Sequence, residues 1–393
     1  MVILKKIFIN FSIVGLSYFF SIFFSYLLIN RAVDPHIISK IGSIEYLIII
    51  CVGIINFAVV PNAIRLIVSD QANFKHIVKM TQDSRFTLGL IIFTLLLLSS
   101  FYFGIEFFYT SLLLIILSIS IDYTLYPLGK NIFSAIINFI RNGMSYIFLI
   151  LILLYFNEEV LSASVFPMFI IFSLISFFAT SYNLKFFYFP KNKFRFLKLY
   201  FDQYQLGLGN FFLENSRPIF FLIGIKILNL DELIIFYGLS KIYIFFLGVR
   251  RLLVSNLIKY FSNIKFSNYF DFFIFSISIF FVTIVFFQTN KISLFIFGNI
   301  NENSIISIKI ISLTILFASL FLSSAPRIQV LKLDKSFFVI NFILLIIFLI
   351  SIFLIFAFKL GLIYLLFALM IFELSSSITL KMRLIFFKNV KQF

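Results

Sequence analysis

Seven ionisable side chains stand inside stretches that are otherwise almost wholly apolar: Asp122, Arg141, Glu214, Arg217, Lys241, Lys309 and Glu373. Their types and spacing suit charge pairing and anion binding. Arg141 lies about ten residues into one apolar run, and Asp122 about eight residues before the end of the run before it, with a tight turn between them. Both therefore sit at similar depth on neighbouring helices, either as a structural ion pair or with the guanidinium free to meet a phosphate, whose oxygens match its paired donors. Glu214 and Arg217 are three residues apart, on one helical face, and Pro218 follows at once. That pattern fits an intrahelical pair or a bent helix lining a cavity.

Lys241 and Lys309 complete a cationic set with Arg141 and Arg217, unless Lys309 extends to the membrane surface. Glu373, close to Ser375, Ser376 and Ser377, has no basic partner in its own run. As a buried carboxyl without a partner it is the candidate for ion coupling, with Asp122 and Glu214 as further candidates for coupling or charge pairing. Each such group costs at least about 2.5 to 3.5 kcal/mol at membrane depth, so each needs a partner or a water-filled cavity.

Bond-making chemistry has little to work with. No GxxxxGK[ST] loop is present, and His36 and His76, the only histidines, read as loop residues, which leaves no HExxH metal pair and no Ser/His pair within the membrane. Cys51 is the only cysteine, so no internal disulfide or multi-cysteine metal site forms. The expectation is a protein that is not an enzyme, with no cofactor and no metal.

The elements that position these residues are membrane spans. Of 393 residues 62% are hydrophobic and 12% charged, where soluble domains carry about 25% charged residues. Apolar windows of 20 or more residues, the length a helix needs to cross about 30 Å of hydrocarbon, recur from end to end. They predict an all-α polytopic protein with about twelve transmembrane helices: 7–30, 44–64, 86–105, 107–129, 131–156 and 160–183, then 200–225, 232–256, 269–290, 304–325, 336–358 and 360–380. The amino-terminal run, longer than a signal-peptide core and without a small-residue cleavage site, reads as a retained span.

Charge fixes the orientation. Connections on one side, both termini among them, carry 23 of the 32 Lys and Arg residues, including Arg65, Arg85, Lys185, Lys193, Arg195, Arg250, Lys259, Arg327, Lys381 and Arg383. The positive-inside rule then puts both termini in the cytoplasm. The net charge of +16 is thereby a topology signal and an attraction to anionic lipid, and it implies no nucleic acid.

The basic loop Lys185–Lys198 divides the chain into a six-helix lobe at 1–184 and a second at 199–393. Gly42-Ser43-Ile44-Glu45 and Gly238-Leu239-Ser240-Lys241 recur 196 residues apart, and Phe103-Gly104-Ile105 and Phe297-Gly298-Asn299 recur 194 apart. Even span numbers give both lobes one orientation, related by a pseudo-twofold axis along the membrane normal, a plan of secondary transporters in which the substrate lies between the lobes.

With its length, the Arg31–Tyr46 segment, the Asp231–Lys241 run containing Tyr237-Gly238, and Leu294-Phe295-Ile296-Phe297-Gly298, the chain resembles the bacterial O-antigen and polysaccharide flippases of the multidrug/oligosaccharidyl-lipid/polysaccharide exporter superfamily. The segment Asp122–Gly129 departs from that pattern in lacking Trp and Gln. The resemblance implies a flippase that carries undecaprenyl-pyrophosphate-linked oligosaccharide, an O-antigen or capsule repeat unit, across the bacterial inner membrane. It implies alternating access coupled to H⁺ or Na⁺, a phospholipid bilayer around the chain, and a polysaccharide polymerase and chain-length machinery as partners. The rival readings are a membrane polymerase or ligase, which usually displays a longer external loop, and a drug or small-solute exporter of the same superfamily, for which acidic rather than basic charge is expected.

Overall fold

The computed structural model of the chain describes residues 2–103, 105–191, 198–257, 261, 263–298 and 300–390. These residues form α-helices and no strand, because a backbone amide in hydrocarbon has no water to bond and must close its hydrogen bonds within its own segment. In order they are α1 (Val2–Asn30), α2 (Pro35–Asn56), α3 (Val59–Ser69), α4 (Phe74–Phe103), α5 (Ile105–Ile119), α6 (Asn131–Asn138), α7 (Met144–Tyr155), α8 (Glu158–Leu184) and α9 (Lys198–Asp202). There follow α10 (Tyr204–Ile227), α11 (Leu230–Leu257), α12 (Ile264–Phe287), α13 (Thr289–Phe297), α14 (Glu302–Ser319), α15 (Ser324–Val330), α16 (Asp334–Ala357) and α17 (Leu362–Val390). Local signals place several starts: Asn157 accepts from the Val160 N–H at 3.0 Å, and Asn301 forms a capping box with Ser304, each satisfying amides that the first turn leaves open.

Eleven helical stretches among the described residues are long and apolar enough to cross a membrane, one fewer than the count of about twelve. The difference is α10. Its 24 residues extend about 36 Å at the helical rise, but Asn210, Glu214, Asn215 and Arg217 dilute its apolar character. Outward faces are greasy: Phe272 and Phe280 on α12 and Phe353 on α16 are 72%, 68% and 65% exposed, a surface that suits lipid tails and not water. Both histidines lie in helices, His36 in α2 and His76 in α4, and not in loops as the sequence suggested.

The residues fall into two compact units, unit 1 comprising Met1–Phe24 and Lys40–Phe211, and unit 2 comprising Ser25–Ser39 and Phe212–Phe393. In unit 1, α4 packs along α5, and α8 lies against α5 and α7. One core joins Cys51, Ile55, Ile92 and Leu114; another joins Ile67, Val78, Ile121, Leu125 and Ile137 to Leu184 and Phe186. Between α6 and α7 the helix widens into a π-turn over Phe139–Gly143, a feature that recurs at functional positions.

The chain leaving α8 is tied back to α4. Lys185 ends the helix in a left-handed conformation (φ 48°), and the Tyr188 hydroxyl and the Lys191 N–H both donate to Oδ1 of the buried Asp83, at 2.8 and 2.7 Å. Burial, with the Asp83 carboxylate beside it, pushes the Tyr188 phenol up to about 12, so it remains a neutral donor. The rest of the expected basic loop, Lys193 and Arg195 included, lies outside the described residues, as do Lys259 and the Gly104 and Asn299 of the internal echo.

In unit 2, α14 and α17 pack together, flanked by α12, α16 and α11. At Gly224 a Cβ would strike the Phe236 ring and come within 3.0 Å of Leu365; only glycine lets α10 lie this near α11 and α17. An aromatic column fills the same region, Phe220 stacking on Phe348 at 5.4 Å and Phe348 on Phe372 at 4.4 Å between ring centroids. α14 and α15 are separated by a break at Leu320–Ser323, with Phe321 left-handed at φ 51°. Asp271 on α12 holds that break, accepting from the Ser323 N–H at 2.8 Å and the Ser323 hydroxyl at 2.9 Å.

Candidate functional site

Each unit encloses a cluster of charged side chains. In unit 2 it is built on α10, α11 and α17. Arg217 projects from the middle of α10 and clamps Glu373 of α17: Nε lies 2.5 Å from Oε1 and Nη2 2.8 Å from Oε2. The Tyr243 hydroxyl of α11 donates to the same Oε1 at 2.5 Å, and Arg217 Nη1 donates to the Leu213 carbonyl. Arg217 and Glu373 are 4% and 1% exposed, so this is a buried ion pair with its donors and acceptors engaged, the condition under which such a pair is tolerated.

Two expectations change here. Glu373 is not a lone carboxyl, because its partner comes from another helix 156 residues away. Arg217 turns to Glu373 of another helix, while Glu214 is exposed on the same helix. Arg250, assigned from sequence to a cytoplasmic connection, belongs to α11. Its Nη1 lies 4.0 Å from Glu373 Oε2 and is buried without a hydrogen-bond partner. Two guanidinium groups thus address one carboxylate.

Lys241 is also on α11, 3% exposed, with its ammonium 4.9 Å from the centre of the Tyr237 ring, a favourable cation–π distance. Lys309 on α14 is half-buried, 5.8 Å over the Phe286 ring. Ion pairing brings together Arg217, Glu373 and the unforeseen Arg250, whereas Lys309 lies over Phe286.

In unit 1 the cluster gathers around the irregular stretch after α5. The predicted span 107–129 ends as α-helix at Ile119, and Asp122 opens a short 3₁₀ turn at Asp122–Thr124. Its Oδ2 lies 2.7 Å from Arg141 Nη1, and its Oδ1 accepts from the Ser120 hydroxyl at 2.9 Å. Arg141 sits in the π-turn. Both side chains of the pair are 24% exposed, so this pair is more open than the one in unit 2.

Behind it stands Arg85, which the sequence reading put in a connection. α4 begins at Phe74, which carries Arg85 about three turns into the helix. It is 3% exposed and donates to Asn56 Oδ1 at 2.9 Å, to the Leu117 carbonyl at 2.8 Å and to the Ser120 carbonyl. These carbonyls end α5, where the helix leaves acceptors unused, so Arg85 finishes the helix and fixes the turn that presents Asp122. A charge at the margin of an apolar run looks like a flank in sequence, which hid both Arg85, just before residue 86, and Arg250, near the end of the 232–256 run. For Arg250 the available signal was the surplus of buried carboxylate expected at Glu373.

In each unit a guanidinium group holds the oxygens of a carboxylate, Arg217 those of Glu373 and Arg141 one of Asp122. Scanned against protein-family models the chain matches none, and no curated protein matches it in sequence. Solved structures do match. An outward-facing multidrug resistance MATE family transporter of the MOP superfamily superposes with a TM-score of 0.67 at 14% identity, over 98% of this chain and 96% of that one. An inward-facing conformation of a multidrug resistance MATE family transporter gives 0.62 at 13% identity over 98% and 99%. A MOP superfamily transporter from Pyrococcus furiosus, described as having a binding pocket of reverse polarity that suggests a different function, gives 0.62 at 13% identity over 96% and 95%. The chain is therefore a multi-pass membrane protein with the fold of the MOP superfamily transporters along nearly its whole length.

Proposed function

We propose that the protein is an alternating-access carrier that flips a polyprenyl-pyrophosphate-linked oligosaccharide, an O-antigen or capsule repeat unit, from the cytoplasmic to the outer leaflet of a bacterial inner membrane. One observation carries this reading: the buried Arg217 and the half-buried Arg250, on α10 and α11, both address the one carboxylate of Glu373. A buried cation in excess of its counter-charge is expensive, and an anionic passenger that visits it offsets that cost. A pyrophosphate supplies the charge, and guanidinium groups match its oxygens. In unit 1 Arg141 is a second candidate for a phosphate, and its pairing with Asp122 holds it until cargo arrives.

Arg217 is committed to Glu373, so Arg250 is the cation of unit 2 best placed to receive cargo. The pairing also moves the ion-coupling role for Glu373 toward exchange of partners between two arginines. The reversed pocket polarity described for the Pyrococcus furiosus transporter supports the idea that charge sign sorts cargo on this fold. A drug exporter is the second reading, supported by the multidrug resistance transporters that share the fold.

The test is flipping of a fluorescent polyprenyl-diphosphate sugar in proteoliposomes. Arg250→Gln removes one charge-assisted contact, about 1.5 to 3 kcal/mol, and is expected to weaken cargo binding about tenfold or more with insertion intact. Unaltered flipping by Arg250→Gln and by Arg141→Gln, or transport of a cationic drug in place of the lipid, overturns the proposal.

A further inference from the structure

Three buried polar atoms without a hydrogen-bond partner gather on one helix pair of unit 2, away from Glu373 and its arginines. Ser324 Oγ and Arg327 Nε belong to α15, and Arg383 Nε belongs to α17. The two helices pack through Ala325, Ile328, Leu380 and Leu384, so Arg327 and Arg383 each adjoin a residue of the shared seam. Ser324 and Arg327 are three apart and lie on one face of α15. Ser324 itself is 1% exposed. Buried donors are almost always paired, and each exception calls for a reason.

The neighbouring acid does not supply one. Asp271 spends Oδ1 on the Ser323 N–H and Oδ2 on the Ser323 hydroxyl, and Lys381 approaches Oδ2 at 3.6 Å. Lys381 also donates to Asn268 Oδ1 at 3.1 Å. Against the three cations Arg327, Lys381 and Arg383, these contacts supply one carboxylate. The region has spare positive charge and spare donors of the kind that fit an oxyanion: a guanidinium Nε–H together with an Nη–H forms the fork that takes two phosphate oxygens.

We propose that α15 and α17 form a binding site for the phosphate of an anionic phospholipid headgroup, held by Arg327, Arg383 and the Ser324 hydroxyl. A lipid is the source because both arginines stand close to the ends of membrane-crossing stretches, Glu302–Val330 and Leu362–Phe387. Long cationic side chains reach the headgroup layer from that depth, and basic pockets between transmembrane helices on the cytoplasmic side take headgroups. The bound phosphate supplies the missing partners beside the break at Leu320–Ser323, and so steadies the place where the α14–α15 crossing is interrupted.

The experiment is lipid retention. The full chain is reconstituted in nanodiscs of phosphatidylcholine mixed with phosphatidylglycerol, released into mild detergent and examined by native mass spectrometry. The wild type is expected to keep phosphatidylglycerol in preference to phosphatidylcholine. Arg327→Lys with Arg383→Lys keeps the charge and removes the fork, and is expected to lower that retention about tenfold; Ser324→Ala, which leaves no cavity of consequence, lowers it about threefold. Lys335→Ala, outside the site, leaves it unchanged. Equal retention by the wild type and by both altered proteins overturns the site. Displacement of the lipid by inorganic phosphate overturns the lipid as its occupant. Neither readout depends on the transported cargo, so the site stands or falls apart from the flippase reading.

Discussion

Replacing Glu373 by Ala strands two guanidinium groups in the interior of unit 2. Three close contacts end on that carboxylate, from Arg217 Nε at 2.5 Å, Arg217 Nη2 at 2.8 Å and the Tyr243 hydroxyl at 2.5 Å, with Arg250 at 4.0 Å. Removing one member of a buried pair leaves the other charged and desolvated, at a cost of about 3 to 5 kcal/mol. For a body of this size 1 kcal/mol moves the melting temperature by about 2 to 4 °C, so the expected loss is about 10 °C. The chain has no tryptophan, so far-UV circular dichroism during heating is the suitable assay. Arg217→Met combined with Glu373→Met replaces the pair by apolar groups of similar volume and is expected to recover the part of the loss that comes from Arg217, leaving the part that comes from Arg250. A wild-type melting temperature for Glu373→Ala, or a double variant as unstable as the two single losses added together, would refute the claim that this contact is a mutually dependent buried pair.

Other outcomes follow from the same structure. Gly224→Ala forces a methyl against Phe236 and Leu365 and is expected to cost about 1 to 3 kcal/mol, read as a lowered melting temperature. Asp122→Asn loses a contact to Arg141 that is 24% exposed on each side; it should destabilise by no more than about 1 to 2 kcal/mol while slowing flipping, and an unstable but fully active variant would count against a cargo role for that pair. Cys51, 3% exposed, is expected to resist maleimide labelling in the folded protein and to react on heating, reporting the opening of unit 1. Asp83→Ala releases Tyr188 and Lys191, so trypsin is expected to cut faster after Lys191. In the wild type that tether should hold below the ordinary phenol value of 10.0 and weaken as the pH rises through about 12, since the folded phenol ionises later than the unfolded one.

Spans were legible in the sequence because burial in hydrocarbon demands a long apolar run, and nothing else in a chain produces one. α10 shows the edge of that rule: its polar residues keep it a helix but remove the apolar signature. Partners across helices were not legible. Arg217 and Glu373 are 156 residues apart, and no local pattern records that α10 and α17 meet. Asp122 and Arg141 lie close enough in sequence for a hairpin to bring them together, and they were accordingly expected at one depth. Arg85 was missed because α4 starts twelve residues before its predicted span, at Phe74 instead of residue 86; a helical turn of buried polar residues, Thr81 to Arg85, reads as connection when only hydropathy is counted. The assignment of Ser25–Ser39 to unit 2 likewise has no signature in composition.

The wide turn at Phe139–Gly143 carries one residue more than an α-helix needs for the same rise. Angular phase along the crossing from Asn131 to Tyr155 therefore slips by about 100° at that point, and a helical wheel drawn through it would assign α7 to the wrong side. Excising Ile140 would let the stretch rewind as ordinary helix and rotate everything after it by the same angle, taking Tyr146 from its 2.6 Å bond with Glu45. The surplus residue thus acts as a phase marker, and one-residue indels here should prove far more harmful than point changes on the same turn.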